Sequence, residues 1–326
     1  MRLRALLLIA LLMACGRSEA RNEPAKAPAP TTSNGPASIT TQPANAPAMP
    51  AAQAAPAELE APLPPVTAVY PWGPRASAPV DRLDGRFRTP PAGFTRVDVA
   101  RGSFAEFLRS LPLQAEGAPV VDYRGNKLYD GGHHPGIVAV ADIDIGAKDL
   151  QQCADAVIRL HAEWRYGRGE RDITYRAVSG QPLSYRGHIA GDRAFLAGKD
   201  IVIRRAAPAR KDDHALFRGW LDDVFSWAGT ASLERDGKRV ASPSEMTAGD
   251  FFVLSGVPFG HAVIILDVAK DDRGRTALLL GQSYMPAQSF QVLANGGSPW
   301  FIVEPGATVV ETPFWRPFPM SSLRRL

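Results

Sequence analysis

The chain has 326 residues, of which 45% are hydrophobic and 21% are charged, and its formal net charge is +4. This apolar content is enough for a hydrophobic core, and the length allows one large domain or two small ones. The basic residues are spread along the chain. Because no run of Lys or Arg is long enough to bind phosphates, the composition does not predict a nucleic-acid partner.

The first residues, MRLRALLLIALLMACG, have the features of a secretory signal. Arg2 and Arg4 precede an apolar run that is too short to span a bilayer, and a small residue and a cysteine follow. The segment LMAC at residues 12–15 resembles the lipobox of bacterial lipoproteins. The resemblance implies a lipoprotein signal peptide over residues 1–15, with Cys15 as the lipidated residue. An ordinary cleaved secretory peptide is the alternative.

Gly16 follows this cysteine. By the sorting rule of Gram-negative lipoproteins, the resemblance favours the outer membrane, facing the periplasm, with the lipid anchor as the contact to the membrane. Residues 16–66 are almost all Ala, Pro, Ser, Thr, Asn and Gln, which predicts a disordered tether. A coil of this length reaches roughly 40 Å. A single globular domain over residues 67–326 is therefore expected to reach peptidoglycan.

Two helices are predicted in the first half of the globular part. Ser103, with Glu106 three residues later, has the pattern of a short capped helix. Residues 148–167 have apolar side chains at helical spacing. Asp149 with Gln152 fits a capping box, so this second helix is expected to begin just before residue 153.

The second half of the globular part predicts a sheet. After an amphipathic helix over 214–229 come the runs FFVLSG, HAVIILDVA, TALLLGQSY and PWFIVE, which have the composition of antiparallel strands. Residues 136–145 alternate in the same way. Since helices precede a series of strands, the predicted fold class is α+β.

Cys153 is a candidate nucleophile. If Cys15 carries a lipid, Cys153 has no disulfide partner, because the sequence contains two cysteines. In the first turn of a helix, backbone N–H groups and the helix dipole favour a thiolate and lower the thiol pKa. A nucleophilic thiol also needs a base, and His261, at the start of HAVIILDVA, is the candidate. The alternative is a buried, inert Cys153 beside a core histidine.

An imidazole base needs a third group that sets its tautomer. Asp267 is on the same strand as His261 and lies about 20 Å away at roughly 3.3 Å per residue, too far for contact. If the following hairpin turns near residues 271–272, Gln282 lies opposite His261, within cross-strand reach. The carboxamide oxygen of a glutamine can accept the ring N–H.

These segments resemble a known family. TAGDFFVL and FGHAVIILDV are similar to NlpC-type cysteine peptidases and CHAP amidases, in which a Gly-Asp turn precedes a strand and the catalytic His opens the next one. The resemblance implies a papain-like α+β fold, with a Cys-bearing helix packed on an antiparallel sheet. It also implies Cys153 as nucleophile, His261 as base and Gln282 as orienting residue. Gln151 or Gln152 is the candidate oxyanion donor, together with the Cys153 N–H.

A second resemblance covers about residues 70–320. The stretches KDLQQCADAVIRL, GDFFVL, GHAVIILD and GQSYMPAQ are similar to an uncharacterised family of bacterial lipoproteins, a domain of unknown function. The sequence thus predicts a cell-envelope thiol hydrolase or amidase that cleaves an amide bond, with peptidoglycan peptides as the substrate that the tether favours. The alternatives are a non-catalytic envelope-binding lipoprotein on the same scaffold and a purely structural lipoprotein.

No metal or other cofactor is expected. His133 and His134 precede a predicted strand, but adjacent side chains on a strand point to opposite faces. No acid or cysteine at ligand spacing accompanies them.

Overall fold

The computed structural model describes residues 70–73, 81–256 and 259–326, which belong to one compact unit. The predicted signal peptide, residues 1–15, and the predicted tether, residues 16–66, lie outside the described residues. The described helices are α1 Leu83–Arg86, α2 Phe104–Arg109, α3 Cys153–Gly167, α4 Tyr185–Ala190, α5 His214–Trp227 and α6 Thr230–Asp236. Within this part of the chain, no helix has the length and apolar character needed to cross a membrane.

Short strands alternate with these helices, and longer strands follow them. The strands are β1 Asp81–Arg82, β2 Thr95–Arg96, β3 Pro112–Leu113, β4 Ile137–Val140, β5 Thr174–Arg176, β6 Pro182–Ser184, β7 Asp192–Ala197, β8 Asp200–Arg205, β9 Lys238–Arg239, β10 Phe251–Leu254, β11 His261–Lys270, β12 Thr276–Gln282, β13 Gln291–Leu293, β14 Trp300–Val303, β15 Val309–Thr312, β16 Trp315–Pro319 and β17 Leu323–Arg325. The predicted α+β class is confirmed.

A nine-stranded antiparallel sheet forms the centre of the domain. Its strands run in the order β4-β13-β12-β11-β10-β17-β9, with β14 also paired to β12 and β2 to β11. The longest of them, β11 and β12, are buried along almost their whole length. The candidate site lies at the end of the sheet where β11 begins and β12 ends.

Apolar clusters cover both faces of this sheet. On one face, Val157 and Leu160 of α3 pack in the same cluster as Ile264. On the other face, Val263 packs in a second cluster with Phe318 of β16. Successive side chains of a strand point to opposite faces. Burial on both sides therefore explains why the β11 sequence, HAVIILDVAK, is apolar almost throughout.

The predicted starts of two helices agree with the structure. α2 begins after Ser103, whose Oγ accepts a hydrogen bond from the Glu106 N–H at 3.1 Å. α3 begins at Cys153 with Gln152 as its N-cap residue. The predicted capping pair of Asp149 with Gln152 is wrong, because the Gln152 N–H donates to Oδ2 of Asp155 at 3.1 Å.

Asp267 is buried in β11 and paired with two arginines. Its Oδ1 accepts a hydrogen bond from Arg109 of α2 at 2.6 Å, and Arg96 Nε of β2 lies 3.0 Å from Oδ2. Burial raises the pKa of Asp267, and the two guanidinium groups act against this rise. The carboxylate therefore ties α2 and β2 to the central strand and is committed to these contacts instead of to His261.

Replacing Asp267 with Ala is expected to lower the free energy of unfolding by about 3–5 kcal/mol, because two partly buried arginines lose their counter-ion. Urea denaturation followed by circular dichroism measures this loss. The matched control is Asp272→Ala in the exposed turn after β11, for which we expect a change within about 0.5 kcal/mol. Equal effects of the two substitutions would show that the buried ion pairs do not hold these elements together.

Candidate functional site

A cleft of about 250 Å³ opens at the N-terminus of α3. It lies between the start of α3, the start of α6 and the segment that leads into β11. The lining residues are Asp149, Leu150, Gln152, Cys153, Ala154, Asp155, Phe225, Ala228, Gly229, Thr230, Gly256, Phe259, Gly260 and Met285. The cleft therefore contains the predicted nucleophile and the residue that precedes the predicted base.

Gly260 allows the chain to enter β11 beside α6. A Cβ atom at this position would lie 2.3 Å from the carbonyl oxygen of Leu254 and 2.4 Å from Oγ1 of Thr230. Since neither approach is sterically tolerable, only glycine fits here without moving the backbone. The position of His261 at the strand start depends on this close approach.

Cys153 is the first residue of α3, and its side chain is 5% exposed. Burial raises the pKa of the Cys153 thiol to about 12; a hydrogen bond from the Ala262 backbone N–H opposes the rise, and nearby Asp155 adds to it. The lowered thiol pKa predicted from the sequence is not found, because loss of hydration outweighs the N–H groups that favour a thiolate. The Ala262 contact places the sulfur next to the residue that follows His261.

His261 is fully buried at the start of β11, with its Nε2 2.7 Å from Oε1 of Gln282. Burial lowers the pKa of His261 to about 4, and the hydrogen bond with Gln282 acts in the opposite direction. The imidazole is therefore neutral at neutral pH. The ladder pairs Ile264 with Gly281 and has an irregularity after Ile265. This register means that the turn is not centred where the sequence predicted it, at residues 271–272. Gln282 nevertheless lies within hydrogen-bond distance of the His261 ring.

Three glutamines, which we call the glutamine relay (Gln282, Gln291 and Gln288), set the direction of this hydrogen bond. Gln282 Nε2 donates to Oε1 of Gln291 at 3.4 Å, and Gln291 Nε2 donates to Oε1 of Gln288 at 2.7 Å. Gln288 Nε2 donates to the carbonyl oxygen of Pro286 at 3.1 Å. Each amide nitrogen is thus a donor, which leaves Oε1 of Gln282 to accept the N–H of His261.

The relay places the ring proton on Nε2 of His261 and a free lone pair on Nδ1. Among the described residues, Nδ1 has no hydrogen-bond partner, and it therefore makes no hydrogen bond with Sγ of Cys153. His261 is also absent from the described lining of the cleft. The structure thus brings Cys153, His261 and Gln282 to one end of the sheet, with both the thiol and the imidazole in their neutral forms.

The two candidate oxyanion donors are placed differently. Gln151 is 1% exposed, its Oε1 accepts from Arg159 Nη1 at 2.7 Å and its Nε2 donates to the carbonyl oxygen of Asp144 at 3.2 Å. Both ends of its amide are thus in use away from the cleft, which corrects the prediction for Gln151. Gln152 lines the cleft, with its Nε2 donating to Oδ1 of Asp149 at 3.0 Å.

Aromatic residues that the sequence did not assign to the site enclose the imidazole. The ring centroids of Tyr284, Trp315 and Phe318 lie 4.9, 5.0 and 6.1 Å from that of His261. The sequence contains a signal for Tyr284, because this residue follows Gln282 by two positions and residues at that spacing share one face of a strand. Trp315 and Phe318 come from β16, and no local pattern connects that strand with His261.

Metal ligands are not clustered at this site. In the part of the chain that the structure describes, no group of three or more His, Cys, Asp or Glu side chains is arranged to hold a metal ion.

Replacing Gln291 with Leu removes the acceptor of the Gln282 amide nitrogen. The Gln282 amide is then expected to take either orientation, so that His261 can adopt either neutral tautomer. Nitrogen-15 NMR of the ring should show a single Nε2–H tautomer in the native protein and a mixture in Gln291→Leu. The unpaired amides should also cost about 1–3 kcal/mol of stability. Gln181→Leu, in the turn between β5 and β6, is the control. An unchanged tautomer in Gln291→Leu would refute the role of the relay.

Comparison with known proteins supports a domain of unknown function, as one of the two sequence resemblances suggested. A family model described as "Domain of unknown function (4846)" matches residues 83–325. No curated protein and no solved structure matches the chain. Since the family model covers most of the 326 residues, the chain belongs to the family "Domain of unknown function (4846)".

Proposed function

We propose that the protein is a thiol hydrolase of the cell envelope that cleaves an amide bond, with a papain-like arrangement of its site. The observation that carries the proposal is the position of Cys153 Sγ on the Ala262 N–H, directly beside His261. His261 keeps an unpartnered Nδ1 among the described residues, while Gln282 holds its Nε2. Nucleophile, base and orienting amide thus occupy a helix start, a strand start and the next strand.

In the proposed reaction, Sγ of Cys153 attacks a carbonyl carbon while its proton passes to Nδ1 of His261. The S–C bond forms, and the π electrons of the carbonyl move to its oxygen. Collapse of this intermediate breaks the C–N bond, and His261 gives the proton to the leaving amine. Water then attacks the thioester carbonyl carbon and gives a proton to His261. The S–C bond breaks, the carboxylic acid leaves, and His261 returns the proton to Sγ of Cys153.

The neutral resting state sets the pH dependence of this reaction. Because the pKa values of Cys153 and His261 are about 12 and about 4, the thiolate forms only as attack occurs. Activity therefore requires an unprotonated His261 and should fall as the pH drops through about 4. Gln282 supports the transient imidazolium by accepting its Nε2–H.

The test is incubation of the purified protein with peptidoglycan stem peptides and detection of cleaved amides by mass spectrometry. Cys153→Ala should abolish turnover, His261→Ala should lower it by about 10²–10⁴-fold, and Gln282→Ala by about tenfold or more. His133→Ala, at an exposed histidine, is the control and should leave the rate unchanged. Equal turnover in the Cys153→Ala protein would exclude the thiol mechanism.

A non-catalytic envelope-binding module is the second candidate function. The buried thiol of Cys153, its raised pKa and the missing Sγ–Nδ1 hydrogen bond favour it. This alternative expects no turnover in the native protein and reaction of Cys153 with iodoacetamide only after denaturation. The hydrolase proposal expects labelling of the folded protein that His261→Ala slows.

The proposal includes a lipid anchor at Cys15 and attachment to the outer membrane, facing the periplasm. It rests on the lipobox-like LMAC and the following Gly16, which lie outside the described residues. Cys15→Ala should move the protein from the membrane to the soluble fraction and remove the mass of the lipid. Cys153→Ala is the control that should stay in the membrane fraction. Unchanged fractionation and mass of the Cys15→Ala protein would reject the anchor.

A further inference from the structure

Asp155, in the first turn of α3, has one carboxyl oxygen that its surroundings do not satisfy. Oδ2 accepts the Gln152 N–H at 3.1 Å. Oδ1 has no hydrogen-bond partner in the described parts of the chain, although the side chain is only 6% exposed. Asp155 lines the same cleft as Cys153. A buried polar atom without a hydrogen-bond partner is destabilising unless a ligand supplies the missing hydrogen bond.

The charge state of Asp155 follows from its surroundings. Burial raises its pKa to about 8, and the backbone N–H groups of Gln152 and of Asp155 itself act against the rise. Apart from Asp155, Asp149 and Cys153 are the titratable residues in the described lining, and none of the lining residues is a cation. Oδ1 of Asp149 is already used, because it accepts the Ala287 N–H at 2.7 Å. The described lining thus offers no cation to an ionised Asp155, and burial outweighs the backbone N–H groups that favour its carboxylate form.

A neutral carboxyl group places its proton on the oxygen that is not accepting. Oδ2 of Asp155 accepts from the backbone, so the proton belongs on Oδ1, which becomes an O–H donor. This donor lacks an acceptor among the described residues. A ligand that accepts this hydrogen bond must present an oxygen lone pair, as an amide carbonyl does. A carboxylic acid kept neutral by burial can serve as a hydrogen-bond donor.

We propose that the cleft at the start of α3 binds an uncharged amide group and that protonated Asp155 donates from Oδ1 to its carbonyl oxygen. This inference rests on the proposed function for the role of the bound amide, which lies beside the nucleophile Cys153. Asp155 then contacts the substrate directly. It supplies a donor that the sequence-based assignment sought in Gln151 or Gln152.

The test measures binding to the full chain carrying Cys153→Ala, so that no turnover interferes. The probe is N-acetyl-L-alaninamide, which is uncharged and has two amide carbonyls. Its cationic counterpart is N,N,N-trimethyl-L-alaninamide, whose quaternary ammonium group keeps its charge at every pH, whereas a free α-amino group would titrate at about pH 8. Carbon-13 NMR of the Asp155 carboxyl group follows its titration with and without each probe. A ligand that accepts from the protonated acid must raise the pKa of Asp155, whereas a cation must lower it.

Affinity for the acetylated probe should be about tenfold weaker at pH 9 than at pH 7, because Asp155, with a pKa of about 8, ionises between these values. Asp155→Asn keeps an N–H donor in place of the O–H and should bind equally at both pH values. Asp155→Ala should lose at least tenfold in affinity at pH 7. If the Ala variant does not fold, the titration of the native residue and the pH independence of Asp155→Asn still test whether Asp155 donates to the bound amide.

Three results would overturn the inference. They are no binding of the acetylated probe, equal affinity of the Asn and Ala variants, and a lowered Asp155 pKa with N,N,N-trimethyl-L-alaninamide alone, which would assign a cation site instead. None of these measurements reads hydrolysis. A protein that binds with the expected pH dependence but never cleaves a peptide would keep this site and reject the hydrolase, so the two failures are distinguishable.

Discussion

Burial of β11 on both faces is the constraint on which the rest of this structure depends. The strand pairs with β10, β12 and β2, packs against α3 on one side, and is covered by the cluster containing Phe318 on the other. Its first residue, His261, is therefore enclosed as fully as the apolar residues that follow it. The close approach at Gly260 and the ion pairs of Asp267 both serve to keep this strand in place. The position of the candidate site is thus a consequence of core packing.

The same burial gives the site its chemical character. Loss of hydration raises the pKa of Cys153 and of Asp155 and lowers that of His261, so each group is held in its neutral form. An amide suits such a site as the orienting group, because a carboxylate facing a neutral imidazole would add an unpaired buried charge. Gln282 accepts a hydrogen bond from the ring N–H and donates one from its own N–H to Gln291, and neither group carries a net charge. Under the proposed mechanism, charge separates only while substrate occupies the cleft.

Local patterns predicted the elements that their own residues stabilise. The Ser103 cap, the start of α3 at Cys153 and the long strands β11 and β12 follow from capping chemistry and from continuous apolar runs. Elements that depend on distant partners were not predicted, as with β16, whose Trp315 packs on His261. The strand expected over 136–145 is shorter, Ile137–Val140, because pairing with β13 ends there. A strand is limited by its neighbour as well as by its composition.

Residue identity and order were enough to predict the family, the α+β class and the candidate residues Cys153, His261 and Gln282 at the end of the sheet. The sequence also placed Gln282 on the strand beside His261, because an antiparallel hairpin leaves few registers. The neutral forms of Cys153 and His261, the hydrogen bond from Arg159 to Gln151, and the lack of a partner for Oδ1 of Asp155 among the described residues emerge only from the folded chain. These properties arise from the water that packing removes and from contacts between segments far apart in the chain. Neither the removal of water nor these distant contacts can be predicted from a local pattern of residues.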